Sequence, residues 1–249
     1  MSELEHERFR PLLRGGLGDP YLHVVETSST QDLLRDGALP HGAVAVAEHQ
    51  TAGRGRSGRS WDDAPATALL CSVLLRPPSE AAHQELSIVA GLAVAAALER
   101  EAAVPAVVRW PNDVLVKTRK VAGILLEAAD GAVVCGIGIN VNQTASDLPS
   151  KPRTPATSLR IETDRTFNRG IILTSLLIEL EWRYSAWLAN GLACLSDELE
   201  HRNAVQGRRV HVGGRTGTGG AITDDGRLTL VLDSGETVLV GTGEVEGRS

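Results

Sequence analysis

Lysine is almost missing from this 249-residue chain: of its 25 basic residues only Lys117, Lys120 and Lys151 are lysines, so a lysine is informative where it occurs. Cysteine is scarce as well. Cys71, Cys135 and Cys194 are odd in number and far apart, which argues against a disulfide framework or a metal knuckle and leads us to expect buried free thiols. No long apolar run occurs; the longest, Leu86 to Leu98, is well short of the roughly 20 residues that cross a bilayer. The start, MSELEHERFR, is too charged for a signal peptide, so a cytoplasmic protein with no membrane partner is expected. An excess of positive charge is lacking too: 31 acids against 25 bases give a net charge of −6, which argues against general affinity for DNA or RNA. His23, His41, His49 and His83 show neither metal-ligand spacing nor a triad, and no internal repeat is present. What remains is ordinary globular composition, 42% hydrophobic, long enough for one large domain or a large and a small one.

The first 20 residues are polar and aperiodic and read as a tail or a short helix. A helix-turn-helix domain would need about 60 residues ahead of the first strand, yet YLHVVETS already reads as a strand at Tyr21. Apolar runs rich in Val and Ile recur at 43–49, 66–75, 106–110, 120–128 and 132–142, strands by length and composition. Helical patterning enters at TQDLLRD, at 83–100 and at 167–190, where Ile172, Leu176, Leu180, Tyr184, Trp187 and Leu188 share one face. The stretch TASDLPSKPRTPATSL, with its three prolines, reads as a surface loop. After about Asn203 short β-like runs between Gly and Asp turns suggest a small β-barrel. The expected fold class is therefore α+β, layered, with a tail over 1–20, a large domain over 21–202 and a β-domain over 203–249.

Three segments carry chemistry. Gln50 to Trp61, QTAGRGRSGRSW, packs three glycines and three arginines with no acid, a composition suited to an anion because glycine admits close backbone approach and arginine offers paired donors. Gly53, Gly55 and Gly58 spell G-x-G-x-x-G, but Pro77 and Pro78 stand where a dinucleotide fold needs its ribose-binding acid, and no Gly-Lys-Ser/Thr follows as a P-loop requires. In Arg109 to Glu127, Pro111 ends a strand, Asn112 and Asp113 make a turn, and Lys120 opens a second strand ahead of Gly123. In CGIGINVN, Gly136 and Gly138 interrupt an apolar strand, as where a flat ligand or another backbone comes close. Taken singly, each also reads as something ordinary: a solvated basic hairpin, a β-turn with an exposed lysine, a tightly packed core strand.

Together, ETSSTQDLL, AEHQTAGRGRSGRSW, RWPNDVLV, KVAGILLE and GIGINVN resemble in order and spacing the biotin protein ligases, the biotin–[acetyl-CoA-carboxylase] ligases, of the monofunctional type without an N-terminal DNA-binding domain. The resemblance covers 21–142 by motif and, through ITDDGRLTL, extends toward the end of the chain. It implies a catalytic domain over 21–202 like the class II aminoacyl-tRNA synthetases and lipoate ligases, followed by an SH3-like β-barrel. It also implies roles. Ser29, Thr30 and Gln50 contact biotin, with Gln31 where the family has Asn; Gly53, Arg54, Gly55 and Arg56 form a loop that closes over biotin and the adenylate. Trp61 packs on adenine, Lys120 is catalytic, with Arg54 and Arg56 assisting, Gly123 lines the biotin pocket, and Asn140 contacts adenine. Asn112 and Asp113 belong to the nucleotide side, Asp113 as the nearest oxygen donor to a Mg²⁺ held mainly by phosphates, and Arg109 replaces the family's usual Lys.

The reaction so implied joins biotin to ATP as biotinyl-5′-AMP and transfers it to a lysine of a biotin carboxyl carrier protein, with biotin, ATP and Mg²⁺ required, no DNA partner, and a monomer or homodimer as the working unit. The loop's glycine and charge content leads us to expect that it orders only over its ligands. A lipoate ligase-like enzyme and a non-catalytic biotin or nucleotide module are the alternatives.

Overall fold

The computed structural model describes residues 2–5, 12–13, 15–35, 38–77, 83–129, 131–149 and 154–247. Seven strands form the larger sheet: β1 (Tyr21–Thr27), β2 (Val44–Gln50), β3 (Ala68–Leu75), β4 (Ala106–Arg109), β5 (Asp113–Val116), β6 (Arg119–Ala129) and β7 (Ala132–Asn140), in the spatial order β1-β2-β3-β7-β6-β5-β4. β1 and β2 run parallel and every other pair is antiparallel. Helices α1 (His83–Ala102) and α3 (Arg169–Asn190) pack on each other, α4 (Ser196–Arg202) contacts α1, and a short α2 (Leu159–Thr163) precedes α3 in the chain. α1 is buried on nearly all sides, which is why its sequence is apolar around the whole helix rather than along one stripe.

Strand alternation divides the sheet's two faces. Leu69, Cys71 and Val73 of β3, Ala122 and Ile124 of β6, and Cys135, Ile137 and Ile139 of β7 enter the large core shared with the helices. The intervening positions, Ser72, Gly123, Gly136 and Gly138, fall on the opposite face. There a smaller cluster of Leu34, Ala43, Ala45, Leu74, Ala132 and Val134 leaves room for a site.

A second, antiparallel sheet, consistent with an SH3-like unit, contains β8 (Arg209–Val212), β9 (Arg215–Ile222), β10 (Leu228–Leu232), β11 (Thr237–Val240) and β12 (Glu246–Gly247), in the order β11-β10-β9-β8-β12. Its apolar residues join the large core, and the Trp110 indole N–H donates to the Gly226 carbonyl at 2.9 Å.

Several expectations are corrected. Among the described N-terminal residues, Leu4 and Leu17 are buried in the large core, so a polar tail is the wrong description of them; the rest of that expectation lies outside the described residues. TQDLLRD makes only one 3₁₀ turn, Asp32–Leu34. Leu188 is 45% exposed, off the buried face of α3. Cys71 and Cys135 are buried, the Cys71 thiol pushed up to about 12 by burial, but Cys194 is exposed. Asp113 begins β5 rather than ending a turn, because its backbone pairs with Arg109 on one side and Gly123 on the other.

Candidate active site

The polar end of the site is built where the parallel strands β1 and β2 finish together, Thr27 in register with Gln50. Beyond β1 the chain turns through Ser29, Thr30 and Gln31, all buried. The Thr30 amide donates to Gln50 Oε1 at 2.8 Å and its hydroxyl does so at 3.1 Å. A backbone N–H can only donate, so it orients the Gln50 carboxamide and leaves Nε2 as a donor. Ser29 Oγ accepts from the Gln31 amide at 3.4 Å, which leaves its hydroxyl hydrogen available. Gln31 fills a different place: its Nε2 donates to the Leu125 carbonyl at 3.1 Å, and its side chain covers Gly136, where a Cβ would come within 2.9 Å of it. That amide holds strands, a use the motif alone did not disclose.

Gly123 and Gly138 lie opposite each other on β6 and β7 and make a flat wall. The Trp61 ring lies on it; a Cβ on Gly138 would stand 2.5 Å from the indole. Trp61 Nε1 is buried with no hydrogen-bond partner among the described residues, and Lys120 Nζ sits 5.5 Å from the ring centroid. The close approach expected at these glycines is thus real, and in this structure a side chain makes it.

Lys120 reaches the same face because β6 is irregular. Val114 pairs with Ala122 but Leu115 with Lys120, so one extra residue is accommodated and Lys120 and Gly123 face the same way despite their odd spacing. Its backbone is clasped by Pro155 and Thr157. Nζ lies 2.7 Å from Asp113 Oδ1, and Arg109 binds the other carboxylate oxygen while donating to Thr154 Oγ1 at 2.6 Å. Burial disfavours the Asp113 charge, but the two cations outweigh it and hold its carboxyl below the ordinary carboxylate range. An ammonium has three N–H donors, so contact with Asp113 leaves Lys120 two for other anions.

The loop after Gln50 is a built hairpin. The Gly55 amide donates to Arg59 and the Trp61 amide to Gly53, and Arg54 pairs with Ser60. Gly53 cannot be larger, since a Cβ there would meet the Trp61 carbonyl at 2.4 Å. The two expected catalytic arginines part company. Arg54 donates from Nε and Nη2 to Glu127 and from Nη1 and Nη2 to Asp32, at 2.9–3.0 Å throughout, so it is an anchor between two carboxylates rather than a free phosphate fork. Arg56 is half-buried and its head reaches Asn112 Oδ1 at 3.4 Å; the described residues give it no ion pair. Burial lowers its pKa, more than the Asp113 charge raises it, and an incoming anion would relieve that cost.

Asp32 and Glu127 yield an acid-stability prediction. Hydrogen bonds from Arg54 lower Asp32; burial opposes the Glu127 charge, but Arg54 and Arg35 outweigh it, so both titrate below their ordinary 3.8 and 4.5. A carboxyl depressed in the folded state stabilises fully above its unfolded value and loses that contribution as pH falls through the folded one. Asp32→Asn should therefore lower stability by about 1–2 kcal/mol at pH 7, the usual worth of a part-exposed charged hydrogen bond. By pH 3 the gap between variant and parent should have narrowed clearly. Thermal melts across that range check it, and a gap independent of pH rules the linkage out.

Asn140 is buried and its amide is engaged: Nδ2 donates to the Thr157 carbonyl at 2.9 Å and Oδ1 accepts from Gln143 at 3.1 Å. As placed, it secures the segment that clasps Lys120 instead of presenting a free edge to a base. Two hollows flank Lys120. The smaller, about 120 Å³, contains Ser29, Thr30, Gln50 and the glycine wall; the larger, about 520 Å³, contains Asp113, Arg109, Asn140 and, from the second sheet's side, Glu244. Lys120, Trp61, Asn112, Arg59 and Ser60 border both. Ligand pockets commonly have about 300–1,000 Å³, so the smaller hollow is one that Trp61 and its neighbours partly fill.

Known proteins resemble this chain in sequence and fold. The sequence model of the Biotin/lipoate A/B protein ligase family matches residues 23–143. A biotin–[acetyl-CoA-carboxylase] ligase of Mycobacterium tuberculosis is 40% identical, over 94% of this chain and 91% of its own length. The chain belongs to this family, among its biotin protein ligases. Another member, the bifunctional ligase/repressor BirA of Bacillus subtilis, is 31% identical over 85% of this chain and 68% of its own. In three dimensions, the biotin protein ligase of Aquifex aeolicus in complex with biotin and ATP superposes with a TM-score of 0.84 at 29% identity, covering 92% of this chain and 98% of that one. Within the family frame, sequence reasoning missed Asp32, Glu127, Thr154 and Thr157; Asp32 and Glu127 stand inside the quoted motifs, but no local spacing shows that they grip Arg54 or that Thr154 and Thr157 reach Arg109 and Lys120.

Proposed function

We infer that this chain is an ATP-dependent biotin–protein ligase, which activates biotin as biotinyl-5′-AMP and passes it to a lysine of the biotin carboxyl carrier domain of an acyl-CoA carboxylase. The observation that carries this reading is Lys120 on the common wall of the two hollows. The smaller suits biotin's ureido ring, with Gln50 Nε2 and the Ser29 hydroxyl as donors to its carbonyl oxygen against a flat glycine wall. The larger suits the nucleotide.

In the first step a biotin carboxylate oxygen attacks the α-phosphorus, a C(O)–O–P bond forms, and the bond to pyrophosphate breaks. Lys120 has donors for both reacting anions, and Arg56, which lines the smaller hollow with it, is available for phosphate oxygens. In the second step the carrier amine attacks the activated carbonyl carbon, AMP departs, and the amine loses a proton. Asp113 is not a ready metal ligand: both its oxygens are taken by Lys120 and Arg109, and no group of three or more His, Cys, Asp or Glu side chains able to hold a metal occurs among the described residues. The donors present do not fit a protein-held Mg²⁺, and neither step above is routed through one.

The division of labour near Asn203, with chemistry before it and a supporting β-unit after it, belongs to the same reading. So does a cytoplasmic setting; among the described residues no helix is long and apolar enough to cross a membrane. Purified protein should release pyrophosphate only when biotin and ATP are both supplied, and should label a carrier lysine. Release with lipoate but not biotin would replace this reading with the lipoate one.

A further inference from the structure

The carboxylates of Asp32 and Glu127 do more than satisfy an arginine. Arg54 uses four donor contacts on them at 2.9–3.0 Å, both acids being held bidentate. Arg35 closes the group, 2.8 Å from Glu127 and 3.6 Å from Asp32. Two acids and two arginines thus form a neutral ring that joins three pieces of chain: the turn bearing Ser29, Thr30 and Gln31, the hairpin after Gln50, and strand β6. Paired bidentate contacts of this kind are directional as well as strong.

The ring divides the hairpin. Its base is fixed at Arg54, whereas its tip turns through Ser57 and Gly58, both in the left-handed region at φ 58° and 72°, and Gly58 has nothing within 4 Å of where a Cβ would be. Arg56 lies just past the anchored base, which sets how far its head can reach toward Asn112 and Lys120. The anchor is also coupled to the small hollow. Asp32 accepts from the Ser28 hydroxyl at 2.7 Å and its amide donates to the Ser29 carbonyl at 3.1 Å, so the same carboxylate steadies the turn that presents Ser29 and Thr30.

We propose that Asp32 and Glu127 are positioning residues: by gripping Arg54 they hold the base of the arginine-glycine hairpin against the Ser29–Gln31 turn, so that the small hollow and Arg56 are set together. The grip is argued from geometry, and only its kinetic consequence rests on the ligase reading.

The test is the full-length variant Asp32→Asn/Glu127→Gln, which keeps the shapes and removes the charges. Trypsin cleavage after Arg56 and Arg59 should become about tenfold faster than in the parent. The KM for biotin should rise about tenfold and that for ATP clearly less, because the ring borders the small hollow through Arg54 and bears on the nucleotide only through Arg56. Cleavage at the parental rate, or a parallel rise in both KM values, overturns the proposal. If the double variant does not fold, Asp32→Asn alone is judged by the same two readings, with Glu127 still holding Arg54. Parent protein that releases no pyrophosphate would defeat the ligase reading instead, and the trypsin arm would still decide the grip.

Discussion

Lys120→Ala should reduce biotin-dependent pyrophosphate release roughly a thousandfold while leaving a folded protein. Biotin carboxylate and α-phosphate are both anions; at ~4 Å they repel by about 4 kcal/mol at an effective dielectric near 20, which is about three decades of rate. The loss of one placed donor at a reacting centre costs about 10²–10³-fold by itself. Lys120 and Arg59 are the cations that border both hollows; Arg59 is turned to the Arg56 carbonyl and Glu244, whereas Lys120 keeps two spare donors, and of the other cations Arg54 is committed to Asp32 and Glu127 and Arg109 to Asp113 and Thr154. Arg56 remains, which is why some activity should survive. Folding should persist because Asp113 keeps Arg109 as a partner, and the backbone clasp by Pro155 and Thr157 does not involve the side chain. Single-turnover formation of the adenylate is the direct measurement. A rate within tenfold of the parent would remove Lys120 from the chemistry.

The second large effect concerns stability. Trp110→Ala should cost about 3–5 kcal/mol, the usual range for emptying a buried aromatic site, against a total of about 5–15 kcal/mol for a typical domain. Trp110 is 1% exposed and is among the largest fully buried side chains. It also joins the two sheets: its indole N–H satisfies the Gly226 carbonyl, and the turn at Gly226 packs against Gln84 and Glu85 of α1. Alanine leaves both a cavity and an unpaired carbonyl. Urea unfolding of variant and parent provides the number, and Trp110→Phe, which keeps most of the volume but not the donor, should fall between them. A loss under about 1 kcal/mol for Trp110→Ala would show that the second sheet is held by other contacts.

The architecture was legible wherever a local period governs burial. Alternation in CGIGIN places Cys135, Ile137 and Ile139 in the helix-side core and leaves Gly136 and Gly138 for the site, a pattern written in the residues themselves. Helix α3 followed its apolar spacing from Ile172 to Trp187, and went astray only at Leu188, where the helix ends at Asn190 and its last turn has little to pack on. Helix α4 was overlooked although Asp197 and Glu198 at its start and His201 and Arg202 at its end suit the helix dipole; seven residues are too few for periodicity to stand out.

The residues by themselves determined six of the seven strands of the larger sheet, the two long helices, the flat glycine wall and the presence of cations near it, because side-chain period and glycine's missing Cβ act within a few positions; the short β5, α2 and α4 escaped them. Only the tertiary structure decided what each cation does. Arg54 meets Asp32 across 22 positions and Glu127 across 73, whereas Arg56, two residues away, has no ion pair among the described residues. Lys120 turns toward the site through a one-residue irregularity in β6. A charge attracts any opposite charge within reach, so its partner is chosen by strand register and turn geometry, which no local spacing encodes.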